Sequence, residues 1–504
     1  MLAYIFRRLL LIIPTLFGIL VCAARHVVFP QRSESAAGFA HGRSVQAAGR
    51  MAYWQSELKH RAIKKHHGDP MKNSLPATAL RAALCAALCV PFASPAMAQT
   101  SVQIYGIADA GVMWQKGGPT KIYSGGADGS RIGFKGNEEL GNGYKAIFNL
   151  EARVELDTGG QQPALMNDNP GRYLLRGMQG IPQPILDRLQ ATIQPPGAPA
   201  VNQEKALFDR TAMVGLVTPI GAILLGRMYT PGYEVFNMAD VFESGTAGTW
   251  GHITGGTAGF TALGADIRSQ EAIQYRIAHP SGFGGSVMYG PDGSGYLGRY
   301  KKFRAVAGTY KANGFDVGIG YNHGYDRQNR PSLRTTTVGG SYTINDSWKV
   351  FAGFHSQRND NSALLPDYLG GWDGAVVPAL TAQGIPAATQ QALRGIFQRA
   401  ITENTRQDAK SYQVGFHYRI GAGRIMASVA HQNDRTPSNS DADLVAIGYD
   451  YFLSTRTDLY TVAAFIRNDN EAQYTPGTSG NPGGFTEAPG ADGRALQIGI
   501  RHRF

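Results

Sequence analysis

Beyond Gln99 the chain repeats one pattern, apolar and polar residues alternating with a period of two in segments about ten residues long. Val102, Ile104, Ala108, Ala110 and Val112 share one parity, against Gln103, Asp109 and Gly111 on the other. Trp348, Val350, Ala352 and Phe354 alternate with Lys349, Gly353 and His355, and Tyr412, Val414, Phe416, Tyr418 and Ile420 with Gln413, Gly415, His417 and Arg419. The last residues do the same, with Leu496, Ile498, Ile500 and Phe504 set against Gln497, Gly499, Arg501 and Arg503. Each segment predicts a strand with one apolar and one polar face, long enough to cross a bilayer at a tilt. Sixteen can be counted from 101–114 to 494–504, among them 144–156 and 206–218.

The connections fall into two lengths. Short turns are expected at Leu140–Gly143, Pro219–Gly221, Asn313-Gly314, Ile344–Asp346, Gly421–Gly423 and Leu453–Thr455. Long stretches lie near 156–205, 229–266, 358–408 and 469–493. Short turns at one end and long loops at the other predict an all-β fold, a sixteen-stranded antiparallel transmembrane barrel wide enough for an aqueous channel. Two loops carry helical spacing of their own, Ala387–Thr402 with Leu393, Ile396, Phe397 and Ile401, and Ile181–Ile193 with Ile185, Leu186 and Leu189. Both are expected to be packing elements of their long loops, a cap over the outer mouth being the alternative.

The first hundred residues differ in kind. Met71-Lys72-Asn73-Ser74, an apolar run from Ala82 to Val90 and Ala96-Met97-Ala98 before Gln99 have the form of a secretory signal peptide over 71–98. Residues 1–20 resemble the N-terminus of a dipeptide-type ABC transporter permease, but nothing after them continues that resemblance. Residues 1–70 are therefore expected to be a spurious or disordered extension, a membrane anchor being the alternative, and 99–504 the barrel. The formal charge of +11 arises mainly here, since residues 1–98 hold 12 of the 48 Lys and Arg but 3 of the 37 Asp and Glu. A basic composition of this origin gives no reason to expect a nucleic-acid partner. All 3 cysteines also precede residue 98, which excludes a disulfide scaffold or a thiolate metal site from the barrel.

Six stretches carry a family resemblance: SVQIYGIADAGV at 101–112, SRIGFKGNEELGNGYKAIFNLE at 130–151, LFDRTAMVGL at 207–216, GRMYTPGYEVF at 226–236, YFLSTRTDLY at 451–460 and the ending LQIGIRHRF. Together and in order they resemble the Gram-negative general porins of β-proteobacteria, from Ser101 to Phe504. That resemblance implies a homotrimer in the cell outer membrane, in contact with its lipid and lipopolysaccharide, and passive diffusion of small hydrophilic solutes without a cofactor. It implies a third long loop folded into each lumen, and a terminal Phe504 read by the outer-membrane assembly machinery. The loops near 156–205 and 358–408 look longer than the family pattern.

Selectivity in such a pore needs charge at its narrowest point, where low-dielectric walls focus the field. The loop from Tyr229 to Asp266 contains Glu234, Asp240, Glu243 and Asp266 and no Lys or Arg, while Arg131, Arg210, Arg227 and Arg268 stand on the strands around it. An acidic loop would thus face a basic wall. Arg131 shares parity with Gly133 and Lys135, opposite Ile132 and Phe134, and is expected in the lumen. Arg210 shares parity with Ala212, Val214 and Leu216, a face that pattern alone would give to lipid, so its place in the wall rests on the resemblance. The resemblance likewise matches the loop carboxylates to Asp240 and Glu243. Tyr449, Tyr451, Phe452, Tyr460 and Phe504 read as an interfacial girdle. The competing readings are a substrate-specific channel, an adhesin or receptor acting through its long loops, and a barrel enzyme. Against the enzyme, the histidines beyond residue 99 are scattered singly, and Gly293–Gly298 satisfies GxGxxG without a following helix.

Overall fold

The computed structural model describes residues 101–161, 166–169, 171–172, 175–193, 206–254, 267–295, 298–479 and 483–504. The signal peptide and the extension before it lie outside the described residues, as does Asp266. The strands are β1 (Ser101–Gln115), β2 (Lys121–Ser124), β3 (Arg131–Gly141), β4 (Tyr144–Arg153), β5 (Thr211–Thr218), β6 (Gly221–Tyr229), β7 (Arg268–Ala278), β8 (Phe283–Gly290), β9 (Lys302–Ala312), β10 (Phe315–Tyr325), β11 (Pro331–Thr343), β12 (Trp348–Asn359), β13 (Gln407–Ile420), β14 (Gly423–Asp434), β15 (Ala442–Phe452), β16 (Thr457–Asn468) and β17 (Gly493–Arg503).

Sixteen of these close into an antiparallel barrel. β1 pairs with β3 along Ser101–Ile107 and with β17 along Ile107–Gln115. The backbones of Gly106 and Phe504 exchange two hydrogen bonds of 3.1 Å, so the last residue seals the first strand. The remaining short strand, β2, folds back on β1 as a hairpin arm. The Asn142-Gly143 and Asn313-Gly314 turns, with φ of 54° and 78° and of 53° and 82°, adopt the left-handed conformation that tight hairpins require.

Polarity is inverted relative to a water-soluble fold. In β17, Leu496, Ile498 and Ile500 point outward and stay open, Ile498 at 58 %, whereas Gln497 and Arg501 are buried. Gln274, Asn322, Thr337, His355, Gln413, Gln432 and Asp458 are buried in the same way, because long loops fill part of the lumen. An outward apolar surface of this extent is stable only against lipid. Tyr460 departs from the girdle expectation: its ring is buried, and its hydroxyl donates to Asp109 Oδ1 at 2.6 Å.

Two strands stop short of their expected limits. The alternation suggested 144–156 and 206–218, but β4 ends at Arg153 and β5 begins at Thr211. Outside the loops that dip into the barrel, Ile185 and Leu189 of the helix Gln183–Ile193, with Ile181 just before it, meet Trp372, Phe397 and Ile401 in one apolar cluster. Trp372 and Phe397 stack there at 4.9 Å, within the helical segment Leu365–Asn404 whose longest helix is Ala387–Asn404.

Candidate pore constriction

The loop between β6 and β7 runs along the inside of the barrel. Its helix, Pro231–Ala239, begins at an N-cap where Thr230 Oγ1 accepts from the Tyr233 amide at 3.3 Å, with Pro231 in the first turn. Asn322 of β10 holds that cap to the wall, donating to Thr230 Oγ1 at 2.9 Å and accepting from Gly232 N at 3.0 Å. Farther on, the Val241 amide donates to Gln413 Oε1 at 3.0 Å and the Ala247 amide to Gln497 Oε1 at 2.9 Å, so the loop is pinned successively to β10, β13 and β17. Phe236 stacks on Trp250 at 4.6 Å beneath it.

Asp240 is the knot of this loop. Its buried carboxylate accepts from Ser244 N at 2.9 Å, Phe242 N at 3.2 Å and Gln413 Nε2 at 3.2 Å, and from the Thr249 hydroxyl. Burial pushes its pKa up to about 6, against the pull of the Thr249 and backbone hydrogen bonds. Glu243, Ser244 and Thr246 just beyond it have φ of 56°, 58° and 58°, left-handed conformations that cost about 1–3 kcal/mol each without glycine. The knot is what holds that strained arc in place.

Four guanidinium groups converge on the wall the loop leaves open. Arg131 of β3 and Arg153 of β4 are register partners, an unfavourable like-charge pair that the carboxylates between them relieve. Glu151 Oε1 lies 3.5 Å from Arg131 Nη1, Glu151 Oε2 lies 3.8 Å from Arg210 Nε, and Glu155 pairs with Arg153 Nε. Arg210 and Arg268 both donate to the Tyr229 hydroxyl, at 3.1 and 2.7 Å, and Arg268 lies 4.4 Å above that ring. Nη2 of Arg153 is buried without an acceptor among the described residues.

Across the gap stand Glu234 and Glu243, while Asp128 borders the cavity beside Arg131, whose Nη2 donates to it at 3.3 Å. Glu243 is held bidentately by Arg424, at 2.7 and 3.1 Å, and Arg424 is braced in turn by Asp450 at 2.8 Å. Burial alone would raise the pKa of Glu243, but the hydrogen bonds and charge of Arg424 bring it down to about 2. Glu234 pairs with Arg276, and burial outweighs that pairing and raises its pKa. Asp128 accepts from Arg501 at 2.7 Å and is positioned by Asp109, which takes the amides of Ala127 and Asp128 at 2.8 and 2.7 Å. The two sides enclose a cavity of about 500 Å³.

Of the residues singled out in the sequence, Arg131, Arg210, Arg268 and Glu243 border this cavity together. Asp240 does not, because its oxygens are turned into the loop. Arg227 does not either: it follows a bulge at Gly226 and donates from Nε to the Asp209 carbonyl at 2.7 Å. Arg210 reaches the lumen because it precedes β5, so strand parity does not govern it. Sequence reasoning missed Glu151, Arg153, Tyr229, Asp128 and Arg424. Glu151 and Arg153 were legible, since they share the inward parity of Asn149 on β4; Arg424 finds Glu243 only through folding.

A family profile described as Gram-negative porin matches residues 81–471. Outer membrane porin protein 32 of Delftia acidovorans is 26% identical over 441 residues, covering 86% of this chain and 100% of the relative. An outer membrane porin protein of Bordetella pertussis is 24% identical, covering 84% and 99%. Among solved structures, the fold resembles the anion-selective porin from Comamonas acidovorans, with a TM-score of 0.57 and 20% identity over 81% of this chain and 100% of that one.

Proposed function

Because the chain belongs to the Gram-negative porin family, and so forms an outer-membrane channel for passive diffusion, we propose that its cavity between β3–β7 and the inward loop is the constriction and favours anions. The observation that carries this reading is the convergence of Arg131, Arg153, Arg210 and Arg268 on one cavity. Glu234 and Glu243 on the opposite side are each paired with an arginine, so their charge is largely spent locally. The result is a transverse field that orients polar solutes, strong because the surrounding wall excludes water. The Comamonas acidovorans porin, named as anion-selective, supports the direction of the preference. Members of this family are typically trimeric, and we extend that assembly to this chain, together with a role for the half-exposed Phe504 ring in recognition by the assembly machinery.

Reversal potential in a planar bilayer under a salt gradient tests the proposal. An anion-selective potential in the wild type that moves toward cations in Arg131→Ser/Arg268→Ser supports it. Cation selectivity in the wild type, or no movement in the double variant, would overturn the assignment of the constriction.

A further inference from the structure

Two of the long connections build a core of their own. The connection between β12 and β13 folds into the helical segment Leu365–Asn404, and its helix Ala387–Asn404 turns Phe397, Ala400 and Ile401 inward at helical spacing. Trp372 and Val376 come from the turns before that helix, and Leu189 from the helix Gln183–Ile193 in the connection between β4 and β5. Leu189, Trp372, Val376, Phe397 and Ile401 are all fully closed to solvent. On the outside of the segment charge is neutralised locally, Arg394 holding Asp373 bidentately at 2.7 and 2.8 Å. A loop that only joins two strands needs no interior; this one is ordered by burying its own apolar side chains.

Where this core stands follows from the strand order. In the closed barrel of sixteen strands, the β4–β5 and β12–β13 connections are eight strands apart in either direction, so they rise from opposite points of the rim. They can meet only across the mouth. Asn404 Nδ2 of one donates to the Arg176 carbonyl of the other at 2.7 Å. Two further attachments lie between them: Arg299 Nε of the β8–β9 connection pairs with Asp367 Oδ2 at 2.8 Å, and Phe485 of the β16–β17 connection enters the core. Phe485 is also fixed to the β4–β5 connection, its amide donating to Asn167 Oδ1 at 3.3 Å and its carbonyl accepting from Asn169 Nδ2 at 3.0 Å. The four attachments are spaced four strands apart, one to each quarter of the rim, and the core they share therefore lies over the barrel axis.

We propose that this roof is a size filter at the outer entrance, in series with the charged constriction below it: small hydrophilic solutes pass through the gaps between its attachments, and bulky ones are turned away before they reach the arginines. The loop-bearing end of an outer-membrane barrel is the extracellular one, so the roof faces the medium. Its interior is apolar and closed, which makes it a barrier and not a binding site, whereas the groups that sort ions, Arg131, Arg268 and Glu243, border the cavity. Size is decided at the roof and charge at the constriction. The filter rests on the channel and not on its ion preference.

The test is one-sided polymer exclusion on single channels of the full protein in planar bilayers, with neutral polyethylene glycols of graded mass added to one side at a time. A polymer that enters the vestibule lowers the conductance; one that is kept out does not. The barrel contains no cysteine, so a thiol-directed label applied after the measurement to Gln328→Cys, exposed in the β10–β11 turn, identifies the loop side. In this background the mass cutoff should be lower from the loop side than from the turn side. Replacing residues 364–404 by a short Gly-Ser turn should raise the loop-side cutoff about twofold or more, toward the bore of a sixteen-stranded barrel, and leave the turn-side cutoff and the reversal potential unchanged. Trp372→Ala/Phe397→Ala, which keeps the loop length but empties the core, should move the loop-side cutoff in the same direction by less. Equal cutoffs from the two sides in the starting protein, or a loop-side cutoff that neither variant moves, would overturn the filter. A reversal potential that shifts along with the cutoff would show that the roof sorts charge, and would overturn it as a size filter. Cation selectivity in the wild type would overturn the constriction and leave these cutoffs as they are, so the two readings fail separately.

Discussion

The barrel carries two clusters of arginines, one facing the lumen and one facing outward, and their surroundings differ more than their chemistry. Arg131, Arg153 and Arg210 interlock with Glu151 and Glu155, and Arg210 and Arg268 share the Tyr229 hydroxyl, so each guanidinium is held in one orientation. Arg304, Arg334 and Arg358 stand in a row across strands, with Asp360 as the shared counter-ion of Arg334 and Arg358. The first arrangement suits a selectivity element, which must keep its geometry while ions pass. The second faces away from the ions. Positive charge acts at long range in the lumen, where low-dielectric walls focus its field, and only at contact on the outside.

That contrast can be broken by substitution. The largest effect is expected for Arg131→Ser/Arg268→Ser, which should lower the anion-to-cation permeability ratio by roughly three- to tenfold and widen the constriction; reversal potentials and unitary conductance would show it. Shifts that are small and vanish with added salt would mean that these residues belong to the rim.

Next in size is Asp240→Asn. The amide can replace only part of the acceptor set that ties Phe242, Ser244, Thr249 and Gln413 together, so the loop should lose about 1–3 kcal/mol. Local opening of the loop, read by hydrogen exchange and by increased current noise, would rise while the reversal potential stays close to wild type. Its pH dependence follows from the raised pKa. The neutral form is favoured in the folded loop, so this contribution to stability is complete below the ordinary carboxylate range and is lost as pH rises through about 6. Loop noise should therefore increase between pH 5 and 7 in the wild type and not in Asp240→Asn.

Glu243→Gln should do less, shifting selectivity modestly toward anions by freeing Arg424. Here the pKa is depressed, so the Glu243–Arg424 pair is intact at neutral pH and is lost only as pH falls toward about 2. Selectivity owed to it should stay flat from pH 8 to pH 4; a step near pH 4.5 would show that the pair does not form. The smallest effect belongs to the outward cations: Lys302→Gln/Arg304→Gln/Lys410→Gln should leave the reversal potential unchanged. A measurable shift would erase the distinction between the two clusters.

Much of the architecture was legible because strands report their own faces. Period-two alternation placed Ile498 and Val414 outward and Gln497 and Gln413 inward, and the Asn-Gly pairs marked two of the turns. The same rule applied to Arg210 pointed the wrong way, since β5 begins one residue after it. It also missed Tyr460, whose even parity differs from that of Tyr449 and Tyr451 and whose hydroxyl is needed by Asp109. The long loops offered helical spacing at Ala387–Thr402, close to the observed Ala387–Asn404, but no sign that the segment would pack on Gln183–Ile193.

By itself, then, the sequence determined a closed barrel with an apolar outside, a polar lumen, short turns at one end and a long acidic loop near a set of arginines. Those features are local, because each residue's side of a strand follows from its immediate neighbours. Only the tertiary structure decided that Glu243 faces the cavity while Asp240, three residues away, ties the loop together. An irregular loop has no period to assign its side chains, and their directions are set by partners such as Gln413 and Arg424, more than 170 residues distant along the chain.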